Sequence, residues 1–416
     1  MSDINHPSPV PPAEEKQENH LAEVALLFLR LGFTAFGGPA AHIAMMREEV
    51  VRRRKWISDE RFVDLLGITN LIPGPSSTEF AIYLGYLRAG WPGLVIGGIC
   101  FIGPAMLIVL TLAWAYVSYG SLPQVEWLFY GIKPIVIAII AQVLVSLCRT
   151  VLKGAWSVML GLLVLALYLP GTNTIALLFG GALLFGIIRW VERSYQRRHK
   201  SGSEISNVLM ALPLASIQEL RQYISLTRIS AGLAAVATVA VPYSLPLLFL
   251  TFLKIGAVLY GSGYVILAFL RPEFVVNLHW LTDRQLLDAV SIGQFTPGPV
   301  STTATFIGFM VGGWQGALVA TVGIFLPSFI FIAIIHPLAA TLRRSPWTST
   351  LLDGLNIAAV ALMAGVLFQL GQSALTDVVT WLIALVAFAV LLRFKLNSAW
   401  LILAGAAIGL VRFWMF

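Results

Sequence analysis

Apolar runs of about 17 to 25 residues follow one another along nearly the entire chain, and Gly and Pro interrupt them more often than charged residues do. A helix of this length crosses the hydrocarbon core of a bilayer and satisfies its backbone hydrogen bonds within one segment. The pattern therefore predicts an all-α integral membrane protein with about 13 hydrophobic segments. Where Pro and Gly fall inside an apolar run, we expect a broken or re-entrant helix.

The pattern of the first half of the chain recurs in the second half. When Phe28 is set against Phe252, "FLRLGFTAFGG" meets "FLKIGAVLYGS", and the match continues without a gap through two later Pro-Gly-Pro motifs. After one deleted residue, Pro104 meets Pro327. Such a match indicates two homologous halves. We divide the chain into a disordered cytoplasmic tail (1–20), a first repeat (21–190), a basic cytoplasmic linker (191–228), a connecting transmembrane segment (229–244) and a second repeat (245–416).

The Lys and Arg residues of the loops indicate that the two halves have opposite orientations. In the first half, basic loops follow the second, fourth and sixth apolar segments, whereas in the second half they follow the third and fifth. Because such loops stay in the cytoplasm, the second repeat is predicted to be inverted, and the connecting segment supplies the extra crossing. The same placement accounts for the formal net charge of +7 without a nucleic-acid partner.

Composition narrows the function classes. Of the 416 residues, 58% are hydrophobic and 11% are charged, which is too little polar surface for a soluble globule. Cys100 and Cys148 lie in apolar stretches without a CxxC motif, so neither a disulfide framework nor a thiolate metal site is expected. His42 and His336 lack a second ligand at helical spacing. We therefore expect no metal, no cofactor and no enzymatic activity.

The Pro-Gly-Pro motifs are the strongest candidates for a binding site. "NLIPGPSSTEF" (Asn70–Phe80) and its copy "QFTPGPVSTTA" (Gln294–Ala304) end one helix and begin another inside an apolar run. A new helix presents unpaired N–H groups and a positive dipole end, and hydroxyls in its first turn add donors, so each motif predicts an anion-binding cradle. The alternative is that the motif merely kinks a helix while the hydroxyls bond back to carbonyls. The candidate ligands are Asn70, Pro73, Gly74, Pro75, Ser76, Ser77 and Thr78 in the first cradle, and Gln294, Pro297, Gly298, Pro299, Ser301, Thr302 and Thr303 in the second.

Further candidates lie in the first apolar segment of each half. Gly37 and Gly38 allow either a break that contacts ligand or a close helix approach. Arg30 and Lys254 occupy equivalent positions, and a cation within a membrane span suggests substrate binding, unless both side chains snorkel to the interface. Glu79 is predicted to couple proton movement to transport. The alternative for Glu79 is a permanent ion pair with Arg30 or Arg88.

The motifs "FTAFGGPAAH", "NLIPGPSSTEFAIYLGY" and "RAGWPG", with the copies "GQFTPGPVSTTATFIGF" and "GGWQG", resemble the chromate ion transporter family in its long two-domain form. The resemblance implies oppositely oriented halves and export of chromate across the bacterial inner membrane, driven by the proton motive force, which gives chromate resistance. Chromate is a tetrahedral dianion shaped like sulfate, so sulfate is an expected competitor. The second half departs from the first at Glu79 and Pro39, where it has Thr303 and Gly263. Equal roles for the two halves are therefore in doubt.

Other functions stay open at this point. A sulfate or oxyanion channel, or an uptake transporter, needs the same cradles without export. An integral membrane phosphatase is less favoured, because the hydroxyls from Ser76 to Thr78 have Glu79 beside them but no His or paired carboxylates. The oligomeric state stays open between a monomer and a homodimer.

Overall fold

The computed structural model describes residues 13–120, 122–199, 241–261, 263–343, 346–394 and 397–415. Within these ranges every regular element is a helix, which confirms the all-α prediction. The first half contains α1 (Ala13–Thr34), α2 (Gly38–Arg47), α3 (Asp59–Thr69), α4 (Ser76–Tyr119), α5 (Pro123–Val151), α6 (Ala155–Tyr168) and α7 (Thr174–His199). A π-helical turn (Glu48–Arg53) continues α2.

The second half repeats this order of elements. It contains α8 (Leu245–Val258), a 3₁₀ turn (Gly263–Ile266), α9 (Leu267–Leu270), a π-helical turn (Arg271–Asn277), α10 (Asp283–Phe295), a 3₁₀ turn (Val300–Thr302), α11 (Thr303–Arg343), α12 (Pro346–Ala374), α13 (Val378–Arg393) and α14 (Ser398–Met415). The elements α8, α10 and α11 therefore correspond to α1, α3 and α4.

Long apolar helices make this a multi-pass membrane protein. Six helical segments of the described chain are long and apolar enough to cross a bilayer: Ser76–Tyr119, Pro123–Val151, Thr174–Arg193, Val300–Ile334, Trp347–Ala374 and Ser398–Met415. Their outer faces expose large apolar side chains such as Trp114, Leu183 and Trp314, as a lipid-facing surface requires. Three shorter apolar helices accompany them: α6, α8 and α13. The count of about 13 hydrophobic segments stays a prediction.

Helices cross two boundaries of the expected domain division, which itself stays a prediction. Helix α1 already begins at Ala13, inside the expected tail, because the stretch after Pro12 is rich in strong helix formers. Helix α7 continues to His199, into the expected linker, and Arg189 bonds Glu192 at 2.9 Å along it. Residues 1–12, the linker from 200 onwards and the connecting segment up to 240 lie outside the described residues.

The first Pro-Gly-Pro motif lies at the tip of a helical hairpin. Helix α3 leads to the motif, and the first limb of α4 (76–88) leads away from it. The limb ends where Ala89 and Gly90 leave helical geometry, with φ 64° at Gly90. The Arg88 guanidinium lies 5.2 Å from the ring centroid of Trp56, which stands just before α3. The hairpin therefore begins and ends on the same side of the protein.

The second half contains an equivalent hairpin. Helix α10 leads to the second motif, and the chain leaves helical geometry again at Gly312 and Gly313 within α11. Trp280, just before α10, packs its ring 5.6 Å from that of Tyr243, whose hydroxyl lies against Gly312. The second hairpin also begins and ends on one side.

Candidate functional site

Both Pro-Gly-Pro motifs break the helix, as their sequences predict. Gly74 has φ 146° and Gly298 has φ 90°, values that L-residues with a side chain rarely adopt. Pro75 then precedes the first residue of α4, and Pro299 precedes the turn that leads into α11. A helical segment therefore begins at each motif. The Thr78 and Thr302 N–H groups donate to the Pro75 and Pro299 carbonyls, so the N–H groups without an intrahelical acceptor are those of the two residues before each threonine.

Each motif is held by the helix break of the opposite half. The Gly74 N–H donates to the Leu259 carbonyl at 2.5 Å, and the Gly298 N–H donates to the Ala35 carbonyl at 2.8 Å. Leu259 and Ala35 are equivalent residues, placed directly after α8 and α1. The two hydrogen bonds are thus reciprocal and join the two halves at their centre.

Glycines also lie in the helix breaks that follow α1 and α8, and their surroundings differ. Gly37 and Gly38 have φ 102° and 76°, and Gly261 has φ 88°, so all three allow the chain to turn between helices. Gly37 is exposed, whereas Gly38 is buried against the Tyr264 ring. The glycines of the first half therefore open the break and let Tyr264 approach; no contact of theirs with a Pro-Gly-Pro loop is described.

Most of the predicted hydroxyl donors are already engaged. The Ser76 hydroxyl donates to the Gly261 carbonyl at 2.6 Å. Thr302 donates to the Pro299 carbonyl at 2.8 Å, and Thr303 to the Val300 carbonyl at 2.8 Å, so these two hydroxyls bond back to the backbone. Ser77 lies 3.2 Å from a ring nitrogen of His42. Among the described residues, Thr78 and Ser301 remain as buried cradle hydroxyls without a hydrogen-bond partner.

Among the described residues, buried polar atoms without a hydrogen-bond partner occur on and beside both motifs. Besides Thr78 and Ser301, the Gln294 amide nitrogen, the Ser328 hydroxyl and both carboxylate oxygens of Glu79 are buried without a hydrogen-bond partner in the described chain. Such atoms are few in a native protein, so a cluster indicates a place where water or a polar ligand binds. Asn70, the counterpart of Gln294, is exposed and does not join the cluster.

Glu79 lies under the first motif without an ion-pair partner among the described residues. A Cβ atom on Gly74 would collide with the Glu79 carboxylate and would lie 2.6 Å from the Ser328 hydroxyl of α11. This hydroxyl lies beside the carboxylate, although the two groups do not meet in regular hydrogen-bond geometry. The alternative of an ion pair with Arg30 or Arg88 is wrong, because those side chains bind other carboxylates.

Arg30 and Lys254 do not reach the motifs. Arg30 lies 3.6 Å from Glu49 with 60% of its side chain exposed, and Lys254 lies 2.6 Å from Glu273 with 43% exposed. The two pairs occupy equivalent positions. No described hydrogen bond or ion pair joins either cation to a Pro-Gly-Pro loop, so the structure favours the snorkelling alternative over substrate contact.

His42 contacts the first motif, which the sequence did not predict. Its Nε2 lies 3.1 Å from the Ala35 carbonyl and its Nδ1 lies 3.2 Å from the Ser77 hydroxyl, while its ring packs edge-on against Phe101. The sequence suggests for this histidine only a role as a metal ligand, and no second ligand supports that role. The sequence signal that could have predicted this contact is the position of His42, one helical turn after the break at Gly38.

A second buried polar group lies around Asp288, midway along α10. The Lys133 ammonium lies 2.9 Å from Asp288, and the Tyr116 hydroxyl donates to the same carboxylate at 2.8 Å. Arg284 pairs with Glu126 nearby. These contacts join α10 to the end of α4 and to α5.

Comparison with known proteins matches both halves. The chromate transporter family model matches residues 22–187 and 246–410. A chromate transport protein of Cupriavidus metallidurans is 34% identical over 397 residues, covering 94% of this chain and 93% of that protein. A probable chromate transport protein of Synechococcus elongatus is 33% identical over 405 residues, covering 95% and 96%. No solved structure matches. The family model matches both repeats, including their Pro-Gly-Pro hairpins, and the chain therefore belongs to the chromate transporter family.

Proposed function

We propose that the protein is a secondary transporter that exports chromate from the cytoplasm across the bacterial inner membrane and so gives chromate resistance. The observation that carries the proposal is the set of donors in the described chain that are buried and unpartnered around the two Pro-Gly-Pro motifs: Thr78 and Ser301 in the turns that follow the motifs, and Gln294 at the end of the helix that precedes the second motif. The names of the relatives, which are chromate transport proteins, support the choice of substrate. They also support transport rather than an enzymatic reaction.

The chemistry of the donors suits a tetrahedral oxyanion. Chromate and sulfate present four oxygen acceptors and no donor, so a binding site needs N–H and O–H groups. Hydroxyls, an amide and the first-turn N–H groups of α4 and of the Val300–Thr302 turn supply them without a buried cation. The positive ends of the helix dipoles add favourable charge.

We propose further that the two repeats are inverted in the membrane. The second limb of α4 (91–119) serves as a reference for the orientation of both hairpins. The first hairpin begins and ends beside the N-terminal end of this limb, next to Arg88. Helix α10, which begins the second hairpin, contacts Tyr116 at the C-terminal end of the limb. Arg284 and Glu126 add a second contact there. This arrangement supports two re-entrant hairpins that approach one ligand at the bilayer midplane from opposite faces.

In this proposal the membrane potential, which is the electrical part of the proton motive force, drives export. The inside-negative potential contributes roughly 2.3 kcal/mol per net charge at 100 mV, and it drives negative charge outward. Glu79 is the proposed proton-coupling residue, because an ionised carboxylate beside the cradle would repel a dianion. We therefore expect Glu79 to be protonated while the anion is bound.

The test is chromate flux in inside-out proteoliposomes that contain the purified protein. We expect chromate uptake that is inhibited by sulfate, accelerated by a potential positive inside the vesicle, and less responsive to an imposed pH gradient in Glu79→Gln. Equal flux in protein-free vesicles would contradict transport. Flux that follows the chromate gradient with equal ease in both directions and does not saturate would identify a channel instead.

A further inference from the structure

The hydrogen bonds of His42 fix which of its ring nitrogens carries a proton. The Ala35 carbonyl accepts hydrogen bonds and cannot donate, so Nε2, at 3.1 Å, must be the N–H donor. In a neutral imidazole Nδ1 then has no proton. At 3.2 Å from Ser77, Nδ1 accepts the hydroxyl proton of that serine.

This assignment matters because a serine hydroxyl has a single proton. While His42 is neutral, the Ser77 proton points to the imidazole, and only the oxygen lone pairs remain for other contacts. An oxyanion needs a donor at this position. Ser77 can supply one when His42 carries a second proton, since Nδ1–H then donates to the Ser77 oxygen and the hydroxyl proton becomes free to turn.

We propose that His42 is a positioning residue that links proton binding to anion binding: protonation of its imidazole frees the Ser77 hydroxyl to donate to the oxyanion. The inference rests on the proposed function and deepens it. Binding linkage is reciprocal, so the bound anion also raises the proton affinity of His42. A positive imidazolium next to the cradle acts in the same direction.

His42 also hydrogen-bonds the carbonyl that holds the second motif in place. The Ala35 carbonyl that accepts the Nε2 hydrogen bond is the same carbonyl that accepts the Gly298 N–H at 2.8 Å. A change in the charge of the ring therefore acts on the Ser77 hydroxyl of one motif and on the backbone anchor of the other. One residue connects both cradles.

The second half provides a natural comparison. The position equivalent to His42 is Ile266, which cannot titrate, and the hydroxyl equivalent to Ser77 is that of Ser301. Ser301 is fully buried and has no hydrogen-bond partner in the described chain. Its proton is available at any pH, so Ser301 is the pH-independent donor and Ser77 the pH-dependent one.

Charged groups on the surrounding elements are engaged elsewhere. Arg30 of α1 pairs with Glu49 of the π-helical turn, and Arg47 of α2 pairs with Asp59. On α4, Glu79 faces Ser328 and Gly74. No hydrogen bond or ion pair of the described residues joins these groups to the imidazole, although Glu79 is close enough in sequence to Ser77 that its titration must be separated from that of His42.

Burial lowers the pKa of His42 to about 4 in the anion-free protein, and the bound anion raises it from there. The experiment therefore measures the chromate concentration for half-maximal flux at about pH 4.5 and about pH 7 in the Glu79→Gln background, which removes the other titrating group at the cradle. With His42 present, we expect this concentration to rise several-fold at the higher pH, because the neutral ring withdraws the Ser77 donor. Chromate itself gains a proton in this range. Each profile is therefore compared with that of His42→Gln, in which the substrate contribution is identical.

Glutamine retains one donor and one acceptor but cannot titrate, so His42→Gln should transport with a flatter pH profile. Ser77→Ala should give the same flat profile, whereas Ser301→Ala should weaken transport equally at both pH values. If His42→Gln fails to accumulate, His42→Asn and Ser77→Ala carry the test. A wild-type pH profile in His42→Gln and Ser77→Ala overturns this inference, while the proposed function falls separately if loss of both Thr78 and Ser301 leaves chromate flux unchanged.

Discussion

Thr78 and Thr302 occupy equivalent positions in the two halves, yet their hydroxyls have different partners. Thr302 donates to the Pro299 carbonyl, while Thr78 is buried without a described hydrogen-bond partner. A hydroxyl with an unused proton can bind an anion, and one that bonds back to its own turn supports the local backbone. The same residue type thus serves two purposes.

We expect Thr78→Val to weaken chromate transport more than Thr302→Val does. Loss of one hydrogen bond to a charged ligand costs on the order of 1.5 to 3 kcal/mol, or roughly ten- to a hundredfold in the half-saturating concentration. Thr302→Val is the matched control, since valine keeps the shape of threonine. Equal effects of the two substitutions on chromate flux would show that Thr78 does not contact the anion.

The sequence suggested that Arg30 and Lys254 bind the substrate, whereas their contacts in the structure predict that they do not. Because both are partly exposed and paired with glutamates, we expect Lys254→Gln to leave the half-saturating chromate concentration within about twofold and to lower stability by about 1 kcal/mol or less. The measurements are saturation kinetics and thermal unfolding in detergent. A tenfold change in the kinetic constant with an unchanged melting temperature would restore Lys254 to the binding site.

The Pro-Gly-Pro breaks depend on glycine at a single position. A side chain at Gly74 would be strained at φ 146° and would collide with the Glu79 carboxylate. Gly67, in the preceding helix, has open space around its missing Cβ atom.

Gly74→Ala should therefore abolish or strongly reduce transport, whereas Gly67→Ala should keep it and add up to about 1 kcal/mol of helix stability. Chromate flux and thermal unfolding of the two variants provide the comparison. Normal flux in Gly74→Ala would mean that the loop can rearrange without loss of the site.

The breaks themselves could be predicted, because Pro and Gly act through local backbone geometry. The contacts that decide which hydroxyls are available could not. Ser76 donates to Gly261, a residue far along the chain, and Ser77 meets His42 across another helix break. Such partners depend on how the two halves pack, which no local pattern encodes. Arg30 shows the same limit, since its position in an apolar run is visible but its pairing with Glu49 is not.

The opposite orientation of the halves can be tested directly by topology. Reporters placed after Lys200 and after Phe416 should lie in the cytoplasm and outside it, respectively, because the basic loops of the two repeats are out of phase. A reporter after Arg88 should share the side of the first reporter, since the first hairpin returns to the side on which it begins. Cytoplasmic location of both the Lys200 and the Phe416 reporters would contradict an inverted repeat.

The reciprocal bonds of Gly74 and Gly298 also have a kinetic consequence. Neither motif can leave the opposite half without exposing a buried N–H and a buried carbonyl, and each unpaired group costs about 1 to 3 kcal/mol. If both bonds open during a transport cycle, they raise its activation barrier by several kcal/mol, and each 1.4 kcal/mol slows turnover about tenfold. We therefore expect a slow, strongly temperature-dependent turnover in which the two halves move at the same time.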